Sequence, residues 1–180
     1  MYEEITAIAQ RARDASRGLV TLGSAAKAAV LKKMAAALRE NAVGLQARNK
    51  LDLDKAVANG LSAALIDRLT LSDKVIAGMA AALEEIADLP DPIGTITNMV
   101  RRPNGLMVGR MRIPLGVVAM IYESRPNVTA DAVGLYLKSG NAVILRGGSE
   151  AFNSNLAIVE VLKQALDWTC ISPDTIGFIP

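Results

Sequence analysis

A strand–helix–strand pattern at residues 116–145 constrains the fold of this 180-residue chain more than any other feature. Two short apolar runs, 116–121 and 141–145, flank a segment with helical spacing, 126–139, which stops at Gly140. Strands that are apolar along their whole length are typical of a parallel sheet covered by helices on both faces. The pattern therefore predicts a βαβ unit in an α/β fold.

Polar, turn-rich segments follow both predicted strands, at residues 122–127 and 146–150. In open α/β sheets, ligands lie beyond the carboxyl ends of the strands, so we look for function there. Gly147 and Gly148 would let a ligand approach the backbone, and their amides can face an anion. Arg146 can clamp a phosphate. The alternative is a tight strand-to-helix turn without a ligand, because the segment is neither GxGxxG nor a P-loop.

The first polar segment leads into the predicted crossover helix. Pro126 suits the first turn of that helix, and Asn127 with the first amides could donate to a developing oxyanion. Glu123 and Arg125 could instead simply pair with one another. Lys138, near the end of the helix, is explained by the negative end of the helix dipole.

Outside the βαβ unit, spacing and turn residues predict helices before residue 92 and a mixture of elements after it. The expected helices are 1–16, 25–40, 41–58, a short one from Ser62 to 68, and 72–87, with Ser24, Ser62 and Ser72 as caps. Next come a hairpin of strands 94–102 and 106–113 around Pro103-Asn104-Gly105, a helix 153–166 and a strand 175–179. We expect a helical segment, 1–92, and a second part, 93–180, that holds the hairpin and a βαβαβ sheet.

Composition narrows the classes of function. Hydrophobic residues make up 51% of the chain, which is enough for a packed core, whereas 3% aromatic residues argue against stacking on exposed bases. The net charge is +2 with both signs interspersed, so no basic face for nucleic acid is expected. The longest uncharged run near the middle, 113–122, is too short for a membrane span, and the first residues do not resemble a signal peptide.

The chain contains no histidine and one cysteine. The missing histidine excludes Ser-His-Asp triads and histidine-type zinc sites. Cys170 has no possible disulfide partner within the chain, which fits a reducing cytoplasm, and with no neighbouring base we interpret it as an inert thiol. Four methionines on strand-like stretches are interpreted as core residues: Met99, Met107, Met111 and Met120.

Several strings resemble the gamma-glutamyl phosphate reductase family, a branch of the aldehyde dehydrogenase superfamily. IYESRPNVT at 121–129 is specific to that branch, and KSGNAVILRGG at 138–148 agrees with it. Upstream, ANGLS at 58–62 and IDRL at 66–69 extend the likeness, while PLGV at 114–117 is similar to the wider superfamily. The resemblance covers nearly the whole chain, from about residue 8.

The resemblance implies a partial Rossmann-like parallel sheet of the aldehyde dehydrogenase type with N-terminal helices, a separate catalytic domain and a hairpin for homo-oligomerisation. It implies NADPH-dependent reduction of gamma-glutamyl phosphate to glutamate 5-semialdehyde in proline biosynthesis, through a thioester on a cysteine in a downstream loop. By position, it assigns the adenosine end of NADP to Arg146, Gly147, Gly148, Ser149 and Glu150. It assigns oxyanion support to Asn127, with Arg125 two positions earlier as the alternative for that place. It assigns a contact with the substrate phosphate to Arg125 or Ser124.

These assignments lead us to expect the N-terminal part of a larger enzyme. The chain stops one residue after a strand of the buried type, and no loop of the catalytic-cysteine kind occurs in it. We therefore expect the 180 residues by themselves to be inactive. Two alternatives stay open: a stand-alone binding or interaction module with the same partial fold, and an aldehyde dehydrogenase for another acyl substrate.

Overall fold

The N-terminal half is helical, as its spacing predicts. The computed structural model describes residues 2–167 and 169–180, so Met1, where the first predicted helix begins, lies outside the described residues. The helices are α1 Tyr2–Leu19, α2 Ser24–Glu40, α3 Ala42–Ala58, α4 Ala63–Leu69 and α5 Asp73–Asp88. Ser72 caps α5 by accepting a hydrogen bond from the amide of Val75. Ser24 was predicted wrongly as a cap, because Gly23 occupies the cap position of α2. Ser62 does occupy the cap position of α4, although its side chain makes no cap bond.

An antiparallel hairpin follows, formed by β1 (Ile96–Arg101) and β2 (Met107–Met111). The turn is closed by Gly105, whose φ of 86° favours glycine. The prediction that the methionines lie in the core is wrong here, because Met99, Met107 and Met111 are 49%, 60% and 60% exposed. No described element covers this hairpin. Met120, on the next strand, is half-buried against the core as expected.

The predicted βαβ unit is present and extends to a third strand. The order along the chain is β3 (Val117–Ile121), α6 (Pro126–Lys138), β4 (Ala142–Arg146), α7 (Phe152–Gln164) and β5 (Ile176–Phe178), with short 3-10 helices at Ser149–Ala151 and Pro173–Thr175. The strands are parallel in the order β3-β4-β5. In the central strand β4, residues 142–145 are buried.

Helices cover both faces of this sheet, as expected for strands apolar on both sides. On one face, α1 packs Ile8 and Ala12 against Ala142 and Ile144. On the other face α6 packs against β4 and α7 packs against β5, and this core continues without interruption into α2 and α5. The helices before residue 92 thus complete the same core as the sheet.

Two buried lysines, one on α2 and one on α6, bind the end of α5 and the segment that follows it. Lys27 pairs with Asp91 at 2.9 Å, and Lys138 donates to the carbonyl of Ala87 at 2.8 Å, on α5 rather than on its own helix. Burial opposes ionisation of Asp91, but the amide of Ile93 and the ammonium of Lys27 together keep the pKa of that carboxyl below its usual value.

Among the described residues, no helix combines the length and the apolar character that crossing a bilayer requires.

Candidate functional site

The two polar segments predicted from the sequence lie side by side at the carboxyl ends of β3 and β4. The amide of Tyr122 donates to the carbonyl of Arg146 at 3.1 Å, which extends the pairing of the strands by one step. Beyond it, the hydroxyl of Ser124 donates to Oε2 of Glu150 at 2.5 Å. This bond joins the turn at residues 122–127 to the turn at residues 146–150.

Close packing explains both glycines of the second turn. A Cβ atom at Gly148 would lie 2.1 Å from Oγ of Ser124 and 3.0 Å from its backbone nitrogen. A Cβ atom at Gly147 would lie 2.2 Å from Nδ2 of Asn155. Because a larger side chain would have to displace Asn155 or Ser124, the glycines have a packing reason that is independent of any ligand.

A buried polar chain runs beneath this turn. The hydroxyls of Tyr122 and Thr129 are 2.7 Å apart, and Thr129 donates to Oδ1 of Asn155 at 3.0 Å. Burial raises the pKa of Tyr122, and the bond to Thr129 opposes this only in part. Nδ2 of Asn155 is buried without a hydrogen-bond partner among the described residues. Sequence analysis missed Asn155, which looks like an ordinary position of the apolar helix that follows the turn.

The start of α7 is occupied by a carboxylate of the protein itself. Oδ1 of Asp52 accepts bonds from the backbone and side chain of Asn153 at 3.2 and 2.7 Å. Oδ2 accepts from the backbone and hydroxyl of Ser154 at 2.8 and 2.6 Å. The first amides of α7 are therefore not free for a bound anion, and any anion contact of this turn must use the amides and side chains of residues 146–150.

Two grooves open beside these turns. The first, of about 390 Å³, is called the turn groove, and it is lined by Leu61, Leu65, Arg68, Leu69, Glu123, Ser124, Arg125, Gly148 and Glu150. The second, of about 530 Å³, is called the helix groove. It lies between α4, α5 and the start of α6, and its lining includes Asp67, Arg68, Arg125, Asn127 and Asp131. Because Arg68 and Arg125 line both, the grooves adjoin at two cationic side chains.

The structure brings together five of the eight predicted site residues. Ser124, Arg125, Gly148 and Glu150 line the turn groove, while Asn127 lines the helix groove together with Arg125.

The other three predicted residues line neither groove. The guanidinium of Arg146 donates to the carbonyl of Gly147 at 2.6 Å, and Ser149 is exposed in the 3-10 turn. Arg125 also lies 3.7 Å from a carboxylate oxygen of Glu123, so the simple ion pair that the sequence left open is formed.

Sequence analysis missed two charged residues of this site. Arg68 comes from α4, and its only signal was its place in the family-like string at 66–69. Asp131 lies one turn beyond Asn127 on α6, and burial raises the pKa of its carboxyl. No group of acidic or cysteine side chains among the described residues is arranged to hold a metal ion.

The bond between Ser124 and Glu150 makes a prediction about titration. It is the largest cause that lowers the pKa of the Glu150 carboxyl. We expect Ser124→Ala to raise that pKa towards the ordinary glutamate value, which a carbon-detected NMR titration of the side chain would measure. Ser149→Ala is the matched control and should raise it less, because Ser149 is the weakest of the groups that lower the pKa of Glu150. An unchanged pKa in Ser124→Ala would mean that this bond does not form in solution.

Comparison with known proteins agrees with this arrangement. Residues 1–170 match the family described as "Aldehyde dehydrogenase family". The chain belongs to the aldehyde dehydrogenase family. The gamma-glutamyl phosphate reductase of Citrifermentans bemidjiense is 54% identical over 178 residues, a match of 99% of this chain and 43% of that protein. The chain thus spans less than half the length of this relative.

Solved structures show the same likeness. The crystal structure of gamma-glutamyl phosphate reductase from Thermotoga maritima is 40% identical, with a TM-score of 0.95, over 98% of this chain and 42% of that one. A more distant structure, PnpE in complex with nicotinamide adenine dinucleotide, is 21% identical with a TM-score of 0.73, over 98% of this chain and 33% of that one. The predicted resemblance is confirmed, and so is the fold class: N-terminal helices with a partial parallel sheet of the aldehyde dehydrogenase type.

Proposed function

We propose that this chain forms the N-terminal, cofactor-binding part of an oxidoreductase that reduces gamma-glutamyl phosphate to glutamate 5-semialdehyde with NADPH in proline biosynthesis. The observation that carries the proposal is the junction of the two grooves at Arg68 and Arg125, beside the paired strand-end turns. Arginine suits a substrate that carries both a phosphate and a carboxylate. The two gamma-glutamyl phosphate reductases named above act on such a substrate by their names, and the likeness to them disfavours a stand-alone interaction module.

The residues at the end of β4 fit the adenosine end of a dinucleotide. Arg146 uses one donor on the carbonyl of Gly147, and a guanidinium has five, so others are free for a phosphate. Gly148 and Glu150 lie on the wall of the turn groove, with Ser149 exposed beside them. We propose that these residues, with Gly147 shaping the turn, hold the adenosine ribose and its 2′-phosphate. The cofactor, when bound, supplies the hydride.

Residues at the end of β3 are proposed to act on the acyl phosphate. The side chain of Asn127 makes no hydrogen bond to the described residues and lines the helix groove, so both its N–H groups are available to a developing oxyanion. Arg125 and Ser124 lie at the junction with the turn groove, where either can contact the substrate phosphate.

The cysteine nucleophile is proposed to lie outside residues 1–180. Cys170 is exposed, lines neither groove and precedes β5, at the edge of the sheet where the parallel strands begin. We accordingly propose that residues 93–180 belong to the NADP-binding domain, that residues 1–92 support it, and that the 180 residues alone do not catalyse the reaction.

Self-association through the hairpin is also proposed. Both of its strands are exposed along their whole length, and apolar side chains dominate its surface: Ile96, Met99, Val100, Leu106, Met107, Val108 and Met111. An apolar ribbon of this kind is typical of a protein–protein interface. A homo-oligomer located in the cytoplasm, where the single thiol stays reduced, fits this composition.

The deciding experiment is an assay of the full-length protein. We expect oxidation of NADPH, followed by absorbance, when gamma-glutamyl phosphate is supplied, and little activity with simple aldehydes in the reverse direction. Comparable turnover of simple aldehydes would favour the alternative hypothesis, an aldehyde dehydrogenase for another acyl substrate. Turnover by residues 1–180 alone that is lost in Cys170→Ala would contradict the proposed place of the nucleophile.

A prediction for Arg146 tests the cofactor assignment. In the full-length protein, Arg146→Ala should weaken NADPH binding about tenfold to a hundredfold, since a charge-assisted contact is lost, and weaken NADH binding much less. Calorimetric or fluorescence titration with both cofactors measures this. Arg13→Ala, an exposed arginine on α1 away from both turns and from the hairpin, is the control. Equal losses for both cofactors would leave Arg146 as a turn-forming residue only.

A further inference from the structure

Asp131 is a charged group that nothing in the fold accounts for. It is half-buried in the wall of the helix groove and makes neither an ion pair nor a side-chain hydrogen bond with the described residues. Burial therefore disfavours the ionised form of Asp131 and raises the pKa of its carboxyl. Half-buried carboxylates normally have a cationic or hydrogen-bonding partner. Such a group facing a groove fits a ligand that brings the missing cation.

The placement of Asp131 matches the other charges of the groove. Asn127 and Asp131 are four residues apart on α6, so they lie on one face of the helix, and both line the groove. Arg125 precedes the helix and marks the junction with the turn groove, where Arg68 also lies. Along this face of α6, the side chains therefore follow in the order Arg125, Asn127 and Asp131.

One wall of the helix groove is apolar. It is formed by Leu71, which precedes α5, and by Val75, Met79 and Ala82 of α5. The second carboxylate of the groove, Asp67, lies on α4 beside Arg68. A ligand that fits must therefore combine charged ends with a short methylene chain, which is the constitution of a gamma-acylated amino acid. Its ammonium and carboxylate share one carbon atom, and two methylenes separate that carbon from the reactive acyl group.

We propose that Asp131 binds the ammonium group of the amino-acid substrate and so selects it over substrates that lack the amino group. The inference rests on the proposed function and deepens it. Arg68 and Arg125 take the two anionic groups of the substrate, the apolar wall takes its methylenes, and Asp131 neutralises its cation. Bound ammonium would in turn stabilise the ionised form of Asp131.

The test compares two substrates in the full-length protein. Glutaryl phosphate has the same chain and acyl phosphate as gamma-glutamyl phosphate but no amino group. Asp131→Asn keeps the shape of the side chain and removes its charge. We expect kcat/KM for gamma-glutamyl phosphate to fall about tenfold to a hundredfold, with a much smaller change for glutaryl phosphate. The matched control is Asp54→Asn, an exposed carboxylate on α3.

Other outcomes overturn the inference. Equal losses for both substrates would make Asp131 a structural residue, and an unchanged preference in Asp131→Asn would remove it from the substrate site. Efficient use of glutaryl phosphate by the unmodified protein would exclude recognition of the amino group.

Binding of L-glutamate and of glutarate, measured by calorimetry, needs no turnover and separates this inference from the proposed function. Selective loss of L-glutamate binding in Asp131→Asn supports the inference even if gamma-glutamyl phosphate is not reduced, whereas equal affinity of the unmodified protein for both diacids overturns it.

Discussion

Asp52→Ala is expected to lower the free energy of unfolding by about 3–4 kcal/mol, because it leaves several buried donors at the start of α7 without partners. The carboxylate is 2% exposed and accepts four hydrogen bonds from Asn153 and Ser154. It takes the place of a helix cap, although it comes from α3, about 100 residues earlier in the chain. Urea unfolding monitored by circular dichroism measures the change.

The matched control is Asp54→Ala, two residues further along the same helix. Asp54 is exposed and makes no bond to the described residues, so its loss should change stability by no more than about 0.5 kcal/mol. Similar stabilities of the two variants would show that the network around Asp52 contributes little.

Loss of the Asp52 carboxylate should also loosen the turn that precedes α7. Amide hydrogen exchange at residues 147–154 should therefore rise more than exchange in β4, which the sheet continues to hold.

Asn127→Ala is expected to lower the turnover number of the full-length protein about a hundredfold or more, with a small change in KM. Removal of one oxyanion donor has an effect of this size, because the bond acts in the transition state more than in the bound substrate. The geometry agrees, since Asn127 is half-buried in the helix groove and its side chain makes no bond to the described residues. Steady-state kinetics with gamma-glutamyl phosphate measures both constants.

Asn59→Ala, at the exposed end of α3, serves as the control for that experiment. A change confined to KM would contradict the oxyanion role of Asn127 and assign it to substrate binding. In that case Arg125 and Ser124, two and three positions earlier, become the candidates for the donor. Ser124→Ala and Arg125→Ala would then be expected to lower the turnover number instead.

Much of the fold could be predicted from the sequence because its signals are local. The alternation of apolar runs and helical spacing at residues 116–145 predicts the βαβ unit, and Pro103-Asn104-Gly105 predicts the hairpin turn. The methionine prediction failed for a non-local reason. A strand looks the same in sequence whether or not another element covers it, and nothing described covers the hairpin.

The candidate site was predicted in part, for a similar reason. Sequence analysis found the residues at the two strand ends because parallel strands bring their carboxyl ends to one edge. It did not find Arg68, which reaches the same place from α4, nor the importance of Asp52 at the start of α7. Side chains that join an edge from elsewhere in the fold leave no signal in the local pattern.

Short-range patterns in the sequence specify the helices, the hairpin, the succession of strands along the chain and the family. Which polar groups meet depends instead on the tertiary packing. Glycine at 148 is favoured because Ser124 packs against it, and the first amides of α7 are bonded because Asp52 reaches them from a distant helix. Such contacts depend on the packing of the whole core, so neighbours in the chain cannot specify them.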